Sequence, residues 1–271
     1  MINLSPISFG LSIITVTLNQ LNNLKVTIDS VQKFKNSNPN FQIEHVIIDG
    51  NSIDGTEQYI INHNIVPTIF LSENDNGIYE AMNKGVKLVN FDYVVFINSG
   101  DTIKLKNLDT GLIELLKNGL FEDKLGGFAF SVIYKVGLFS RKITSRDVDS
   151  LSPQMPGIHQ GMLYKRKCLL EIPFDENFKI CGDYDQFARM FSIGYLFKPI
   201  GLTFSILYAG GISSIRPFKL YIESCSVTNK YFKLGKIYSV KSKIKLIIGL
   251  FSVQILLFYS RIINKIYSIN L

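Results

Sequence analysis

Tryptophan is absent from this chain of 271 residues, and cysteine and histidine occur three times each. Cys168, Cys181 and Cys225 are odd in number and lack the CxxC spacing of common metal sites. They exclude a disulfide scaffold and favour free thiols in a reducing cytosol. No basic residue precedes the apolar stretch in residues 1–10, which argues against a secretory signal.

Two common catalytic patterns are also missing. No Ser-His-Asp or Cys-His set stands at a recognisable spacing, and no glycine-rich loop ends in Lys-Ser or Lys-Thr. What the sequence does have is 46% hydrophobic and 19% charged residues, which excludes a disordered, collagenous or coiled-coil chain. At roughly 100–200 residues per domain, the length fits one large domain or two small ones.

The positive charge is concentrated at the C-terminal end. Residues 224–271 contain seven Lys, one Arg and no Asp or Glu, whereas the rest of the chain carries 21 basic and 22 acidic residues. A neutral body with a basic tail indicates an anionic partner for the tail. We therefore predict a body over residues 1–215 and a basic, apolar, helical tail over residues 216–271.

Within this tail, basic residues flank a charge-free run over residues 246–260. Its length falls short of the roughly 20 residues that a membrane-spanning helix needs. The pattern is typical of a helix in the membrane interface, and we predict that residues 230–267 contact an anionic membrane surface. A buried helix, packing on a second copy of the chain and a true span stay open as alternatives. Nucleic acid is not expected as a partner, because such an apolar run adds nothing to phosphate binding.

The first hundred residues alternate between two hydrophobic periods. Apolar, β-branched runs predict strands over 11–16, 43–48, 68–71 and 93–97, and helical spacing of apolar residues predicts helices between them. Asn22 or Asn23 is the predicted N-cap of the first helix. Such a repeat of strand and helix predicts a mostly parallel sheet with right-handed crossovers.

The pattern changes beyond residue 105. It predicts a helix near 108–116, two paired strands over 128–134 and 137–143, a helix over 183–193 and two short strands near 195–209. We therefore predict one α/β fold with a mostly parallel central sheet, a mixed second half and a C-terminal helical tail.

Polar clusters follow all four predicted strands of the first half. Thr17 and Asn19 follow the first strand, residues 49–52 the second, residues 73–77 the third and residues 98–101 the fourth. Ligands of open parallel sheets bind beyond the carboxyl ends of the strands. Each cluster alone is typical of a turn, but four clusters at one edge of a sheet predict a binding site.

Four segments carry a resemblance to a known family. Residues 46–56 (VIIDGNSIDGT) resemble the nucleotide-binding stretch of family 2 glycosyltransferases, the inverting enzymes with the GT-A fold. Residues 75–85 (DNGIYEAMNKG) are similar to a segment of a subgroup that includes proteins of colanic acid and other bacterial surface-polysaccharide clusters. Residues 98–101 (NSGD) occupy the place of the family's DXD motif, and residues 182–185 (GDYD) that of its late acidic motif.

The resemblance implies Mn²⁺ or Mg²⁺ at Asp101. Hard cations prefer oxygen ligands, and a cation is needed to neutralise a diphosphate leaving group. Ser99, which we also expect near the donor, stands where the family has the first acid of DXD. The expected site therefore relies on one carboxylate together with phosphates and water. An Asp101 that only starts a turn is the alternative.

The implied nucleoside pocket contains Thr17, Asn19 and Asp49. Gly50 replaces an acid that many relatives place next to Asp49 and that is expected to contact the base, so the identity of the nucleotide stays open. The resemblance also implies that Asn83 and Lys84 face the donor from a helix. Lys84 is equally consistent with a solvated surface charge.

An inverting transfer needs one general base at the acceptor hydroxyl. By motif position the resemblance implies that Asp183 is this base. Its neighbour Asp185 is expected to contact the acceptor or diphosphate, or to cap or orient the helix that begins here. His159 and Gln160 are expected to touch the diphosphate or the acceptor, although a lone histidine is more often structural.

Together with the tail, the resemblance implies a metal-dependent inverting glycosyltransferase, peripherally attached to the inner face of the plasma membrane. Its expected substrates are a nucleoside-diphosphate sugar and a polyprenyl-linked glycan, and a second copy of the chain stays open as a partner. Two alternatives remain. One is a sugar-nucleotide pyrophosphorylase, although residues 17–24 lack the glycine-rich basic loop of such enzymes. The other is a non-catalytic, membrane-bound binding or scaffold protein of the same fold.

Overall fold

The first half of the chain forms four parallel strands in the order β3-β2-β1-β4. A computed structural model describes residues 8–62, 69–148, 154–210 and 216–232. The strands are β1 (Ser8–Thr17), β2 (Ile43–Asp49), β3 (Ile69–Ser72) and β4 (Phe91–Phe96), and the helices between them are α1 (Leu21–Ser37), α2 (Thr56–Asn62) and α3 (Ile78–Leu88). The predicted parallel half is confirmed, although residue 68, the predicted start of the third strand, lies outside the described residues.

The start of α1 differs from the prediction. The N-cap is Gln20 rather than Asn22 or Asn23, and no side chain caps the helix in the usual way. Instead, the Leu21 N–H at the helix start is donated to Asp54 Oδ2 at 2.8 Å. A carboxylate from the loop after β2 thus satisfies a helix-end donor that local capping was expected to satisfy, and Asn23 lies inside the first turn.

The second half adds both parallel and antiparallel strand pairs and completes a mixed sheet in the order β3-β2-β1-β4-β8-β6-β9-β5, with β7 paired to β6. Its strands are β5 (Thr102–Ile103), β6 (Leu125–Val136), β7 (Phe139–Ile143), β8 (Met162–Lys165) and β9 (Leu196–Tyr208). Its helices are α4 (Thr110–Leu120), α5 (Arg166–Glu171), α6 (Gly182–Ser192) and α7 (Pro217–Tyr231), with a 3₁₀ turn at His159–Gly161. The short strand β8 runs antiparallel to both β4 and β6 and so joins the two halves.

The prediction of two short strands near 195–209 was wrong, because β9 is one strand. It pairs in parallel with β6, but the register shifts after Phe130 opposite Ile200, and Ser131 then pairs with Thr203. Residues 201 and 202 are therefore extra on one strand, as in a β-bulge. Gly201 and the bulge interrupt the apolar pattern, which is why the sequence suggested two elements.

The core lies on both faces of the sheet. Ile14 and Phe96 belong to the cluster on the face covered by α3, α5 and α6, while Ile13 belongs to the cluster covered by α1 and α4. Neighbouring strand residues point to opposite faces, so the uninterrupted apolar run in β1 reflects burial on both sides. The predicted α/β fold is confirmed, and the three cysteines are free thiols as expected.

The described part of the tail is α7, which packs on α6. Val227 and Phe232 are buried in a small cluster with Ala188, and the Tyr184 ring stacks on Phe232 at 6.2 Å between centroids. In the ranges given above, no helix is long and apolar enough to cross a membrane. Most of the predicted membrane-contacting segment, residues 233–267, lies outside the described residues.

Candidate active site

The carboxyl ends of the parallel strands meet at one edge of the sheet. Thr17 at the end of β1 is in register with Asp49 at the end of β2, and Asp49 is in register with Ser72 at the end of β3. The loops that follow these strands therefore start side by side. As predicted, their polar side chains lie at the same edge, where open parallel sheets bind ligands.

Asp49 organises the loop after β2. It is fully buried, accepts the Ser52 N–H at 2.9 Å and the Ser72 hydroxyl at 2.7 Å, and also accepts the Ser52 hydroxyl. Three hydrogen-bond donors on one carboxylate fix the position of the Asp49 side chain at this edge of the sheet. The Thr17 hydroxyl beside it is buried and has no hydrogen-bond partner among the described residues.

Asn19 ties the loop after β1 to the loop after β2. Its N–H is donated to the Ser52 hydroxyl at 2.7 Å, and its Oδ1 accepts the Ile53 N–H at 2.9 Å. Its φ of 51° is a left-handed conformation that asparagine tolerates better than most residues. On the other side of β1, Ser99 donates to the Val16 carbonyl at 3.3 Å. Asn19 and Ser99 thus flank the end of β1.

The carboxylate of Asp75, which the sequence placed in the polar cluster after the third strand, lies beside Gly50. A Cβ built at Gly50 would lie 2.7 Å from Asp75 Oδ2, so Asp75 fills the space that an acid at position 50 would use. Asp75 Oδ1 accepts the Gly77 N–H at 2.9 Å, and burial raises the pKa of Asp75. The sequence placed Asp75 in the polar cluster over residues 73–77 and at the start of the DNGIYEAMNKG segment, but neither pattern predicts that it reaches position 50.

Asn83 and Lys84 on α3 have different surroundings. The Asn83 amide donates to the Phe174 carbonyl at 2.9 Å and accepts the Phe174 N–H at 3.0 Å, so it holds the segment before α6. Lys84 pairs with Glu73 at 2.9 Å and with Glu80 at 3.0 Å. Lys84 therefore lies by the loop after β3. The Asn83 amide bonds to the backbone of Phe174, and its contact with the sugar donor stays a prediction.

Asp101 lies just beyond the end of β4 and is only 8% exposed. Its Oδ1 accepts the Tyr208 N–H at 3.1 Å and its Oδ2 accepts the Gln160 amide at 3.2 Å. Burial raises the pKa of Asp101 to about 7. A buried carboxylate with so few donors gains from a nearby cation, which would favour its charged form.

Asp101 fits a divalent cation that takes most of its ligands from a substrate. The described residues contain no group of three or more His, Cys, Asp or Glu side chains able to hold a metal ion. One buried carboxylate is compatible with Mg²⁺ or Mn²⁺ bound mainly by phosphate oxygens and water.

The 3₁₀ turn at His159–Gly161 links Asp101 to the other side of the site. Gln160 contacts Asp101, while the His159 ring stacks on Phe96 with 4.8 Å between centroids. Burial lowers the pKa of His159 to about 3, so the ring is neutral at physiological pH. His159 Nε2 is buried and without a partner in the described ranges, as is Asn98 Oδ1 after β4. Such unpaired buried atoms are uncommon and mark places where a ligand can bind.

Asp183 lies in the first turn of α6 and lines a cavity of about 240 Å³ together with His159 and Arg146. The apolar part of the wall is formed by Ile143, Met155, Pro156 and Ile158. Burial raises the pKa of Asp183 to about 6. A carboxyl group with a pKa near the working pH, next to a cavity, has the property expected of a general base. Asp101 does not line this cavity but lies across the His159–Gln160 turn from it.

Asp185 points to a different environment. It is fully buried, and its Oδ2 accepts a hydrogen bond from Arg189 Nε at 2.7 Å one turn later on α6. Arg189 also donates to the Pro173 carbonyl at 2.7 Å. A buried carboxylate needs such a partner, and this pair ties α6 to the segment before it.

Comparisons with known proteins agree with this architecture. The sequence profile of "Glycosyl transferase family 2" matches residues 12–121. An uncharacterized glycosyltransferase of Mycobacterium tuberculosis (strain CDC 1551 / Oshkosh) is 31% identical over 181 residues, which are 66% of this chain and 67% of that protein. A PGL/p-HBAD biosynthesis glycosyltransferase of Mycobacterium bovis (strain BCG / Pasteur 1173P2) is 26% identical over 185 residues, 67% of this chain and 69% of that protein.

Solved structures share the fold. S. aureus TarS superposes with a TM-score of 0.58 at 16% identity over 85% of this chain, which spans 41% of the TarS chain. The mannosyltransferase PcManGT from Pyrobaculum calidifontis gives a TM-score of 0.56 at 14% identity, covering 93% of this chain and 72% of that one. The α/β fold is therefore that of the GT-A glycosyltransferases. The chain belongs to glycosyl transferase family 2, as the resemblance implied, and is thus a glycosyltransferase and an enzyme.

Proposed function

We propose that the protein is an inverting glycosyltransferase that moves a sugar from a nucleoside-diphosphate sugar to an acceptor hydroxyl. One observation carries the proposal: Asp183, with a pKa of about 6, lines a cavity that the His159–Gln160 turn separates from Asp101. An inverting transfer needs a base on the acceptor side and a cation on the side of the leaving group. In this arrangement Asp183 would serve as the base on the acceptor side, and Asp101 would hold the cation on the side of the leaving group.

The donor would bind across the ends of β1, β2 and β4. The Thr17 hydroxyl and the Asn98 oxygen, neither of which has a hydrogen-bond partner within the described ranges, and the Asp75 carboxylate beside Gly50 offer polar groups for a nucleoside and its phosphates. Structures of TarS hold UDP or UDP-GlcNAc, and that of PcManGT holds GDP-Man and Mn²⁺. These neighbours support a nucleotide sugar as the donor class.

Asp101 would hold Mn²⁺ or Mg²⁺, whose charge neutralises the diphosphate as the glycosidic bond breaks. Gln160 and the Tyr208 N–H would keep the Asp101 carboxylate in place through the bonds they already make. The neutral His159 ring would exclude water from the side of the site that Phe96 covers.

Asp183 would take the proton from the acceptor hydroxyl while the hydroxyl oxygen attacks the anomeric carbon. One bond to that carbon forms as the bond to the diphosphate oxygen breaks, so the configuration inverts and the proton ends on the Asp183 carboxylate. Its raised pKa makes this transfer easier than it would be for a solvated aspartate.

The cavity next to Asp183 supports an acceptor with an apolar and an anionic part. Its wall combines the apolar side chains named above with the Arg146 cation, which can pair with a phosphate. A polyprenyl-linked glycan at the cytoplasmic membrane face has both features, and the basic, apolar sequence of residues 230–267 would bring the enzyme to it. The mycobacterial relative named for PGL/p-HBAD biosynthesis supports a biosynthetic role for the transfer.

A donor screen tests the function directly. Purified protein would be incubated with UDP-, GDP- and TDP-sugars and either Mn²⁺ or Mg²⁺, and the released nucleotide measured with and without a polyprenyl-phosphate acceptor. We expect release from one class of nucleotide sugar, and its loss with EDTA. No release from any donor under any of these conditions would contradict the proposal.

Membrane attachment has its own test. A variant that lacks residues 240–271 retains α7 and Phe232, which pack on α6. We expect the full chain to sediment with vesicles containing anionic lipid and the shortened chain to stay in the supernatant. Equal sedimentation of both chains would contradict attachment through the tail.

A further inference from the structure

The segment that leads into α6 is held by one carboxylate from outside it. Glu223 on α7 accepts the backbone N–H groups of Ile180 and Cys181, both at 2.9 Å, and that of Lys179 at 3.2 Å. Its side chain is only 13% exposed, although Lys219 approaches it to 3.9 Å. Three backbone donors converging on one charged acceptor make a strong and directional attachment.

This segment ends two residues before Asp183. Cys181 is the N-cap of α6 and makes no side-chain cap, and its own N–H is accepted by Glu223 from α7. Any shift of residues 179–181 is therefore passed to the first turn of α6, where Asp183 lies.

Tyr79 on α3 makes a second contact with the segment that leads into α6. The Tyr79 hydroxyl donates to the Ile180 carbonyl at 2.6 Å and lies 3.4 Å from Asp183 Oδ1. The Tyr79 ring packs so closely on Gly182 that a Cβ there would lie 2.7 Å from it. The backbone before Asp183 is thus clamped between Tyr79 on one side and Glu223 on the other.

We infer that Glu223 is a positioning residue for sugar transfer: by fixing the backbone of residues 179–181, it sets where the Asp183 carboxylate lies in the acceptor cavity. The inference rests on the proposed role of Asp183 as the base. Glu223, the last acidic residue in the sequence, thereby connects α7, the first helix of the C-terminal tail, to the reacting groups.

The charge of Glu223 also acts on Asp183. Burial is the largest cause of the raised pKa of Asp183, and the negative charge of Glu223 adds to it, while the Tyr184 N–H and the Tyr79 hydroxyl oppose it. Cys181 and Tyr164 also face the carboxylate, and Arg146 and His159 line the same cavity. Neutralising Glu223 should therefore lower the pKa of Asp183 and let it act as a base at lower pH.

The experiment compares E223A and E223Q with a matched control, E122Q. Glu122 is a half-exposed acid paired with Lys198, so its replacement removes the same charge without touching α6 or α7. Because Val227 and Phe232 keep α7 on α6, both Glu223 variants are expected to fold, and thermal unfolding checks this. For each protein, kcat, donor KM, the pH profile and hydrogen exchange of the peptide over residues 179–185 are measured.

We expect E223A to lower kcat about 10- to 100-fold, as small displacements of reacting groups do, with donor KM changed by less than about twofold. E223Q keeps an acceptor oxygen, so it should retain more activity than E223A and move the acid limb of the pH profile to lower pH. Exchange over residues 179–185 should be faster in E223A than in the wild-type protein. E122Q should match the wild type in all four measurements.

Unchanged exchange over residues 179–185 in E223A would overturn the inference, whatever the activity. So would an acid limb that stays in place in E223Q, or a loss of activity that appears only as a raised donor KM. If wild-type protein transfers no sugar while exchange increases in E223A, the attachment by Glu223 stands and the proposed function fails instead.

Discussion

The two halves of the site are built in different ways. On the donor side, neighbouring loops after consecutive strands bond to each other, as Asn19 does with Ser52 and Asp49 with Ser72. On the acceptor side, the contacts join distant parts of the chain, as in the bonds of Tyr79 to Ile180 and of Glu223 to Cys181. A repeating β-α pattern therefore suffices to assemble the donor edge, whereas the acceptor side depends on how the second half closes on the first.

The largest expected effect is on the acceptor side. Asp183→Asn keeps the shape of the side chain but removes the base, so kcat should fall about 10²- to 10⁴-fold while donor affinity stays unchanged. Calorimetric titration of the nucleotide measures affinity, and Asp123→Asn on the surface turn before β6 is the matched control. Full transfer activity in Asp183→Asn would remove Asp183 from the mechanism.

A change on the donor side should separate the two halves. Asp101→Asn should lower transfer by about 100-fold, since several kcal/mol of charge stabilisation by the cation is lost. It should also weaken binding of a nucleoside diphosphate in the presence of Mn²⁺, and leave binding without the metal unchanged. Equal Mn²⁺ dependence in the variant and the wild-type protein would assign the cation to other residues.

The space beside Gly50 tests the nucleoside end of the donor edge. Gly50→Ala places a methyl group 2.7 Å from Asp75 Oδ2, so the carboxylate must move and donor KM should rise about 10-fold. Gly111→Ala on α4 is the control, because its methyl group would make an ordinary contact at 3.5 Å. If Gly50→Ala and Asp75→Asn both bind the donor as the wild type does, Asp75 has no part in this pocket.

The smallest expected effect is a decrease of kcat on the acid side of the pH profile. A base must be ionised, and the pKa of Asp183 is raised to about 6, so kcat at saturating donor and Mn²⁺ should fall as the pH drops below about 6. His159 cannot produce this limb, because burial lowers its pKa to about 3. The limb should therefore persist in His159→Asn, and its disappearance there would move the titration from Asp183 to His159.

The sequence predicted the donor edge better than the residues around the base. Asp49 and Thr17 were expected at one edge of the sheet and lie there, because strand ends follow from local apolar runs. Asp75 was expected only as part of the polar cluster over residues 73–77, and Tyr79 and Glu223 were not assigned to the site. Each reaches its position across a packing contact that no sequence pattern records, as Asp75 does in the space left by Gly50.

The same reason explains the predictions that failed. The start of α1 is satisfied by Asp54 from another loop, and the strand β9 continues through a bulge where it pairs with β6. Both features depend on a partner that is distant in sequence.

By itself, the sequence determined the parallel strands, the family and the polar edge, since hydrophobic period and turn residues act over a few neighbouring positions. Only the tertiary structure decided which acid fills the space beside Gly50, that Asp183 rather than Asp185 lines the cavity, and that Glu223 holds the backbone before α6. The physical reason is that burial and hydrogen bonding between distant segments set the surroundings of a side chain, and these exist only once the chain has folded.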